Sequence, residues 1–436
     1  MTSRFENVRL RKSTKKGKKT KKKAPESSID DLLKAASAAM ESLDVERAYE
    51  TYSHAATRLQ GADNEKHGVE DLIHVLEKMG ELQVSMGDQD LAKDHFVRCL
   101  GLLEERGKKD SAKDMSYYET RSNLCFYIGQ LSLEKEALDA YQNGITSLEK
   151  CMQLVADGQE IVAMQDESDE TTNHNEEAIL KQKLSGAYCN IAELYLTDLC
   201  EEETAESDCE QYLEKALQLK DSDGEPLVDA LQTMASLRLS QQERQSEAIP
   251  FVLRAYEKQR VGSEALATLV GLGEKTTDDD AASKGQAQEL LEVEAANNLP
   301  EFEFRCQTAK LLLECAGLDR EESGGTDQAN ECIAAAISVL GSLLAQNDEV
   351  IEIWYLTGCA FAAKQPPLVD AAKFYLERAK EMLTDIQKAL KDELQYADDS
   401  EKQELQEQLE MNATQMSDVQ SKLGALPDAV EDMEEG

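Results

Sequence analysis

The chain has 436 residues, 41% apolar but only 5% aromatic, with 7 prolines. That balance argues against an all-β fold and for one dominated by residues that enter helices at little cost. A formal net charge of −40 sets the body of the protein against nucleic acid and anionic lipid, and draws basic polypeptides toward it.

Residues 1 to 24 hold eleven Lys and Arg against the single acid Glu6, so this end carries +10 and the remainder −50. The tract Lys12, Lys15, Lys16, Lys18, Lys19, Lys21, Lys22 and Lys23 has only Leu10 as an apolar neighbour, too little to bury a core, and residues 1 to 27 are predicted to be a disordered basic tail. Its leading reading is a nuclear import signal that engages an import receptor; an RNA-touching arm and a solubilising tail are the alternatives.

From Ser28 a helical grammar begins, with Ser27 or Ser28 as the N-cap candidate ahead of Asp30 and Asp31. Leu32, Ala35, Ala36 and Ala39 line one helix face and Ala48, Tyr52 and Ala55 the next, with twelve residues between the small side chains of Ala36 and Ala48. The offset of twelve recurs from Gly80 to Ala92 and from Cys125 to Ala137. Further pairs are centred on Ile191 and Leu213, Ala235 and Val252, Leu312 and Ile333, and finally Trp354 and Leu376. Small residues admit close helix approach and large ones fill around them, so the spacing predicts stacked helical hairpins of about 34 residues each. Asp166 to Glu177 and Thr276 to Lys284 read as loops or frayed ends. Beyond Ala379 the pattern stays helical and leads to a polar capping segment, Lys402 to Met411. Asp428 to Gly436, with five acids in nine residues, is expected to be a tail.

The expectation is therefore an all-α solenoid of about seven degenerate helical hairpins: residues 28–391 for the array, 392–424 for C-terminal capping helices and 425–436 for an acidic tail, with disordered ends. Ten cysteines, none closer than nine residues apart, lack zinc or redox spacing and read as core thiols in a reducing compartment. No apolar run approaches the roughly 18 residues of a membrane span, and the basic start lacks a signal peptide's apolar segment. A soluble intracellular monomer without membrane or direct nucleic-acid partners is expected.

Chemistry is sparse. No phosphate-cradling glycine loop, metal-binding histidine pair or nucleophile elbow is present, and the five histidines are dispersed. The sequence predicts a protein that is not an enzyme and needs no cofactor or metal. What it offers is acid placement. In stacked hairpins the first helix of each pair builds the inner wall, and Glu77, Glu81, Glu119, Glu193 and Glu352 fall on the exposed sides of those helices, with Phe126 and Tyr355 among them. Such a wall suits an extended Lys/Arg-rich peptide, held by charge-assisted hydrogen bonds and cation–π contacts.

Trp354, Gly358, Phe361, Ala372 and Ala379 resemble the tetratricopeptide repeat, and the likeness extends from Ser28 to Lys391 with most units lacking the closing proline. More narrowly, the basic start, the acidic array, the IEIWYLTGCAFA segment with its Pro366-Pro367 turn and the acidic end resemble the assembly-chaperone family dedicated to ribosomal protein L-four of the large subunit. That resemblance implies a protein that holds the newly made ribosomal protein, shields its long basic internal loop on a concave surface and escorts it from cytoplasm to nuclear pre-60S ribosomes. Other classes compatible with the repeats are a tetratricopeptide co-chaperone, a scaffold adaptor and a histone chaperone. A co-chaperone clamp for an acidic C-terminus needs Lys, Arg and Asn where this chain places Glu.

Overall fold

The computed structural model describes residues 28–61, 68–109, 113–165, 170–272, 286–322, 327–397 and 401–427. The Lys12 to Lys23 tract, the segment 276–284 and the acidic end from Asp428 lie outside the described residues. Among the described residues there are 17 α-helices and no strand, grouped in two compact units, Met1–Lys113 and Asp114–Gly436.

In the first unit, α1 (Ile29–Glu41) pairs with α2 (Val45–Gly61) and α3 (Val69–Met86) with α4 (Gln89–Lys109). Ser28 starts α1 through a reciprocal capping box: the Asp31 N–H donates to the Ser28 hydroxyl at 3.1 Å and the Ser28 N–H to the Asp31 carboxylate at 3.2 Å. Ala36 and Ala48 are fully buried, as the spacing of twelve requires. In the second hairpin Gly80 does more than admit Ala92: a Cβ there would sit 2.6 Å from the ring of Phe96, which is itself fully buried. Gly87, at φ +82°, ends α3 in the left-handed conformation that a residue with a Cβ disfavours. The buried Cys99 thiol donates to the Ile73 carbonyl at 3.2 Å, tying α4 to α3.

The second unit continues with α5 (Met115–Gln130), α6 (Glu134–Gln165), α7 (Glu170–Leu196), α8 (Ala205–Gln218), α9 (Val228–Ser240) and α10 (Ala248–Glu257). The expected loop before Glu177 is shorter than the sequence suggested, because helix α7 already runs from Glu170. Next come α11 (Arg260–Leu269), α12 (Gln286–Asn297), α13 (Phe302–Glu322), α14 (Asp327–Gln346), α15 (Ile351–Ala363), α16 (Val369–Leu394) and α17 (Glu401–Ala425). Hairpins α5/α6, α7/α8, α9/α10, α13/α14 and α15/α16 complete the seven, and within the second unit these stack in sequence. Their cores are continuous: one buried cluster runs from Ala137 to Leu237 and another from Ala235 to Ala372.

The pair α11/α12 is an insertion that the sequence reading did not assign. Helix α10 packs on α13, so the fifth hairpin stacks directly on the sixth, while α11 lies against α14 and carries α12 with it. Two glycines seat it: a Cβ at Gly262 would lie 2.5 Å from the Ala295 carbonyl oxygen, and one at Gly341 would lie 2.6 Å from the Ala267 Cβ. Helix α14 is long and apolar enough to cross a membrane, and here that surface is consumed by packing against α13, α11 and α15.

The last hairpin follows the small-to-large rule. A Cβ at Gly358 would sit 2.6 Å from Leu376 Cγ and 3.2 Å from the Ala372 carbonyl oxygen. Phe361 stacks on Tyr375 with ring centroids 5.5 Å apart, and the Trp354 indole N–H donates to the Asp348 carbonyl at 2.8 Å. The turn at Gln365 is pinned to α14 by the Asn330 amide, which donates to the Gln365 carbonyl at 3.3 Å and accepts its N–H at 3.1 Å. Helix α17 lies along α16 over a small core of Leu376, Ala379, Leu383 and Val419. It is helical from Glu401 to Ala425, longer than the polar segment singled out from sequence.

Candidate partner-binding surface

In the second unit the first helices of successive hairpins are α5, α7, α9, α13 and α15, and side chains link them step by step. Lys183 of α7 reaches Glu119 of α5 at 4.0 Å. The Thr308 hydroxyl of α13 donates to Gln232 of α9 at 2.5 Å, and Lys310 of α13 pairs with Glu352 of α15 at 2.8 Å. The step from α7 to α9 is different. There Glu193 faces the field of Asp229, and neither carboxylate has a cation partner among the described residues.

The titration of these groups follows from their surroundings. Glu193 remains solvent-accessible, yet the protein packed around it removes enough water that desolvation, followed by the like charge of Asp229, raises its pKa. Asp229, half-buried in the first turn of α9, is raised by desolvation alone. The contrast is the edge of α8 and α9, where burial pushes Glu210 up but bonds from Arg238 at 2.5 Å and Arg244 at 3.1 Å more than offset it and lower its pKa. Carboxylates that hold helices together are lowered by their arginines. The pair between α7 and α9 carries uncompensated negative charge.

The other sequence-selected residues divide by unit and by role. Glu77 and Glu81 lie on α3 of the first unit, both half-buried. Glu77 is raised by desolvation and then by Glu81, while Glu81 is bridged to Lys78 at 2.6 Å. Phe126 is packed into the α5/α6 contact, since a Cβ at Gly144 would stand 2.3 Å from its ring. Tyr355 faces the α16/α17 cluster, its phenol pushed up to about 12 by desolvation, then by Cys359 and Asp418. Among the second-unit residues picked from sequence, only Glu193 contributes to the open step; Glu119 and Glu352 already face lysines.

Sequence reasoning missed Asp229, Lys183 and Lys310. Asp229 lies one and a half turns before Ala235, where the fifth unit was anchored; extending α9 back to its first turn would have found it. The lysines carried no single-chain signal, because their partners lie 64 and 42 residues away. Among the described residues no group of three or more His, Cys, Asp or Glu is arranged to hold a metal ion.

No family model matches the sequence. A curated protein of Schizosaccharomyces pombe, named probable assembly chaperone of rpl4, is 26% identical over 309 residues, which are 70% of this chain and 68% of that protein. Among solved structures, the human IFIT1 dimer with m7Gppp-AAAA is 11% identical, covering 92% of this chain and 90% of that one at a TM-score of 0.19. The APC/C hetero-tetramer Cut9-Hcn1 is 12% identical, with coverage of 92% and 90% and a TM-score of 0.19. A circular tandem repeat protein is 14% identical, covering 90% of each chain at a TM-score of 0.20. The hairpin architecture of this chain rests on its own helix pairings.

Proposed function

We propose that this protein is an assembly chaperone for a basic ribosomal protein of the large subunit, the L-four protein named in its fission-yeast relative. The single observation that carries the reading is the open step between α7 and α9, where Glu193 and Asp229 are partly desolvated and lack a cation. A Lys or Arg from a client placed there would relieve both the mutual repulsion and the desolvation, and charge-assisted bonds of this kind are among the strong ones. The relative's name supports that choice of client, and the net charge of −40 supports long-range capture of a basic one. Shielding the client's basic loop would keep it from binding RNA non-specifically, and pre-ribosomal RNA, a denser array of anions, would compete for it at release. The Lys12 to Lys23 tract would take the complex to the nucleus through an import receptor.

The test is calorimetric titration of the full chain with a Lys/Arg-rich peptide and a Glu-rich one, at low and physiological salt. Expected are binding of the basic peptide alone, weakening with salt, and a loss of tenfold or more in the Glu193→Gln/Asp229→Asn variant. Unchanged affinity in that variant, or tighter binding of the acidic peptide, refutes the assignment of the site. Purification from cells that yields no basic ribosomal protein refutes the client.

A further inference from the structure

The inserted helix α12 presents its larger side chains to the wrong side for a helix that is finished by its own fold. Leu290, Leu291 and Val293 are 69%, 51% and 58% exposed. At 100° per residue these three and Glu294 span one arc of about 160°, while Glu292, Ala295 and Ala296 fall in the remaining arc, on the other side of the helix. The approach of Gly262 to the Ala295 backbone, where a Cβ would meet oxygen at 2.5 Å, fixes that opposite side as the one turned to α11. Alanines therefore make the internal contact and leucines meet water, the reverse of an amphipathic surface helix. Leu269 and Val270, at the end of α11, are also exposed. Single exposed apolar residues are ordinary in a folded protein, but three on one arc of a single helix mark an interaction site.

The charge around the patch says what covers it. From Gln286 to Phe304 the chain has five glutamates and neither Lys nor Arg, and Glu294 stands within the exposed arc. We propose that the outer face of α12 docks a basic amphipathic helix of a partner protein, its apolar stripe against Leu290, Leu291 and Val293 and its Lys or Arg flank on Glu294. Acids beside an apolar stripe attract a cationic flank and repel an acidic one, which sets both the class of partner and its orientation. The surface is separate from the Glu193 and Asp229 step and stands whether or not that site holds a ribosomal protein.

The experiment uses the full chain and an 18-residue Leu/Lys amphipathic helical peptide, with a Leu/Glu peptide of the same pattern and a scrambled Leu/Lys peptide as controls. Amides of α12 should exchange at least tenfold more slowly with the Leu/Lys peptide and be unaffected by the controls. Leu290→Ser/Leu291→Ser/Val293→Ser should lose at least tenfold in affinity while exchange in α13 and α14 stays as in the parent, and Glu294→Lys should weaken binding without touching the apolar residues. In the Glu193→Gln/Asp229→Asn variant the peptide should slow α12 exchange as in the parent. The inference is overturned if the triple-serine variant keeps that slowing within twofold of the parent, if the Leu/Glu peptide slows α12 equally, or if the acid-pair variant loses the slowing. It is also overturned if sedimentation shows that a second copy of the chain closes this face.

Discussion

The contact between Gly80 and Phe96 gives the sharpest quantitative test of how the hairpins are held. In Gly80→Ala a Cβ would meet two ring carbons at 2.6 Å, about 1 Å inside an ordinary carbon contact. Phe96 is fully buried, so the ring cannot swing into solvent and the two helices must separate or the ring must leave its rotamer, at about 1–3 kcal/mol. Exchanging Gly for Ala within a helix returns about 1 kcal/mol, leaving a net loss of roughly 0–2 kcal/mol by these two principles. Phe96→Leu alone opens a void and costs roughly 1–2 kcal/mol. In the double variant the methyl group occupies part of that void, so the combined loss should fall short of the sum by about 1 kcal/mol or more. Native-state hydrogen exchange of α3 and α4 measures this locally, since each 1.4 kcal/mol is about tenfold in an opening constant. Losses that add within about 0.5 kcal/mol would mean that the two residues do not share space, and the account of Gly80 would fail.

Arg305 is 2% exposed and donates to the Pro300 carbonyl at 2.9 Å, to the Ser342 hydroxyl at 2.7 Å and to Gln346, with no carboxylate pairing among the described residues. Arg305→Lys cannot span three diverging acceptors and should cost roughly 2–3 kcal/mol in a denaturant titration; an unchanged midpoint would show that the fork is not structural. Asn412 donates to the Leu383 carbonyl at 3.1 Å but leaves its own buried Oδ1 without a partner, so Asn412→Leu should protect α17 from exchange by about 1 kcal/mol, and faster exchange would refute that. Of the ten cysteines only Cys200 is exposed, and burial pushes Cys99, Cys209 and Cys315 up to about 12, so a thiol reagent at neutral pH should label one site per chain quickly; several fast sites would mean that the helix contacts open readily. Because the folded-state pKa values of Glu193 and Asp229 are raised, the folded chain takes up protons there before the unfolded chain does. Glu193→Gln/Asp229→Asn should therefore raise the melting temperature at neutral pH, the gain fading as pH falls through the raised values toward the ordinary carboxylate range; a gain that persists at acid pH would assign the effect to something other than charge.

The hairpin array was legible because its rule is local. Ala36 and Ala48, or Gly80 and Ala92, are twelve residues apart because one helix half, a short turn and another helix half occupy that length, and a sequence carries that regularity on its face. Helix α12 broke the rule: its inward residues are alanines and its leucines point out, so an apolar-periodicity reading has no face to find. The placement of acids on the first helices was legible as a tendency and not as a site. Glu119 and Glu352 look like Glu193 in the sequence, and what separates them is a lysine on the neighbouring first helix, a relation across tens of residues that depends on how each hairpin is rotated against the next. The role of Phe126 was hidden for the same reason: only the crossing of α5 and α6 at Gly144 turns an exposed-looking aromatic into a packing residue.

The charge pattern of the second unit then has a physical logic beyond its size. Three of the four steps between consecutive first helices are closed by a polar or ionic bridge, and such bridges stabilise the stack because each removes an unpaired group from a partly dry wall. The α7 to α9 step has a side-chain hydrogen bond between Cys189 and Thr233 but, among the described residues, no cation on Glu193 or Asp229, so like charge and desolvation combine there, both unfavourable in the free protein. Packing of Ile191 and Met234 in one buried cluster, both essentially inaccessible to water, is enough to hold the two helices despite that repulsion. A cation arriving from outside gains from both terms at once, whereas at Glu119 or Glu352 it would first have to displace Lys183 or Lys310. Affinity for a basic peptide should therefore concentrate at one step of the stack instead of spreading evenly over 87 acids.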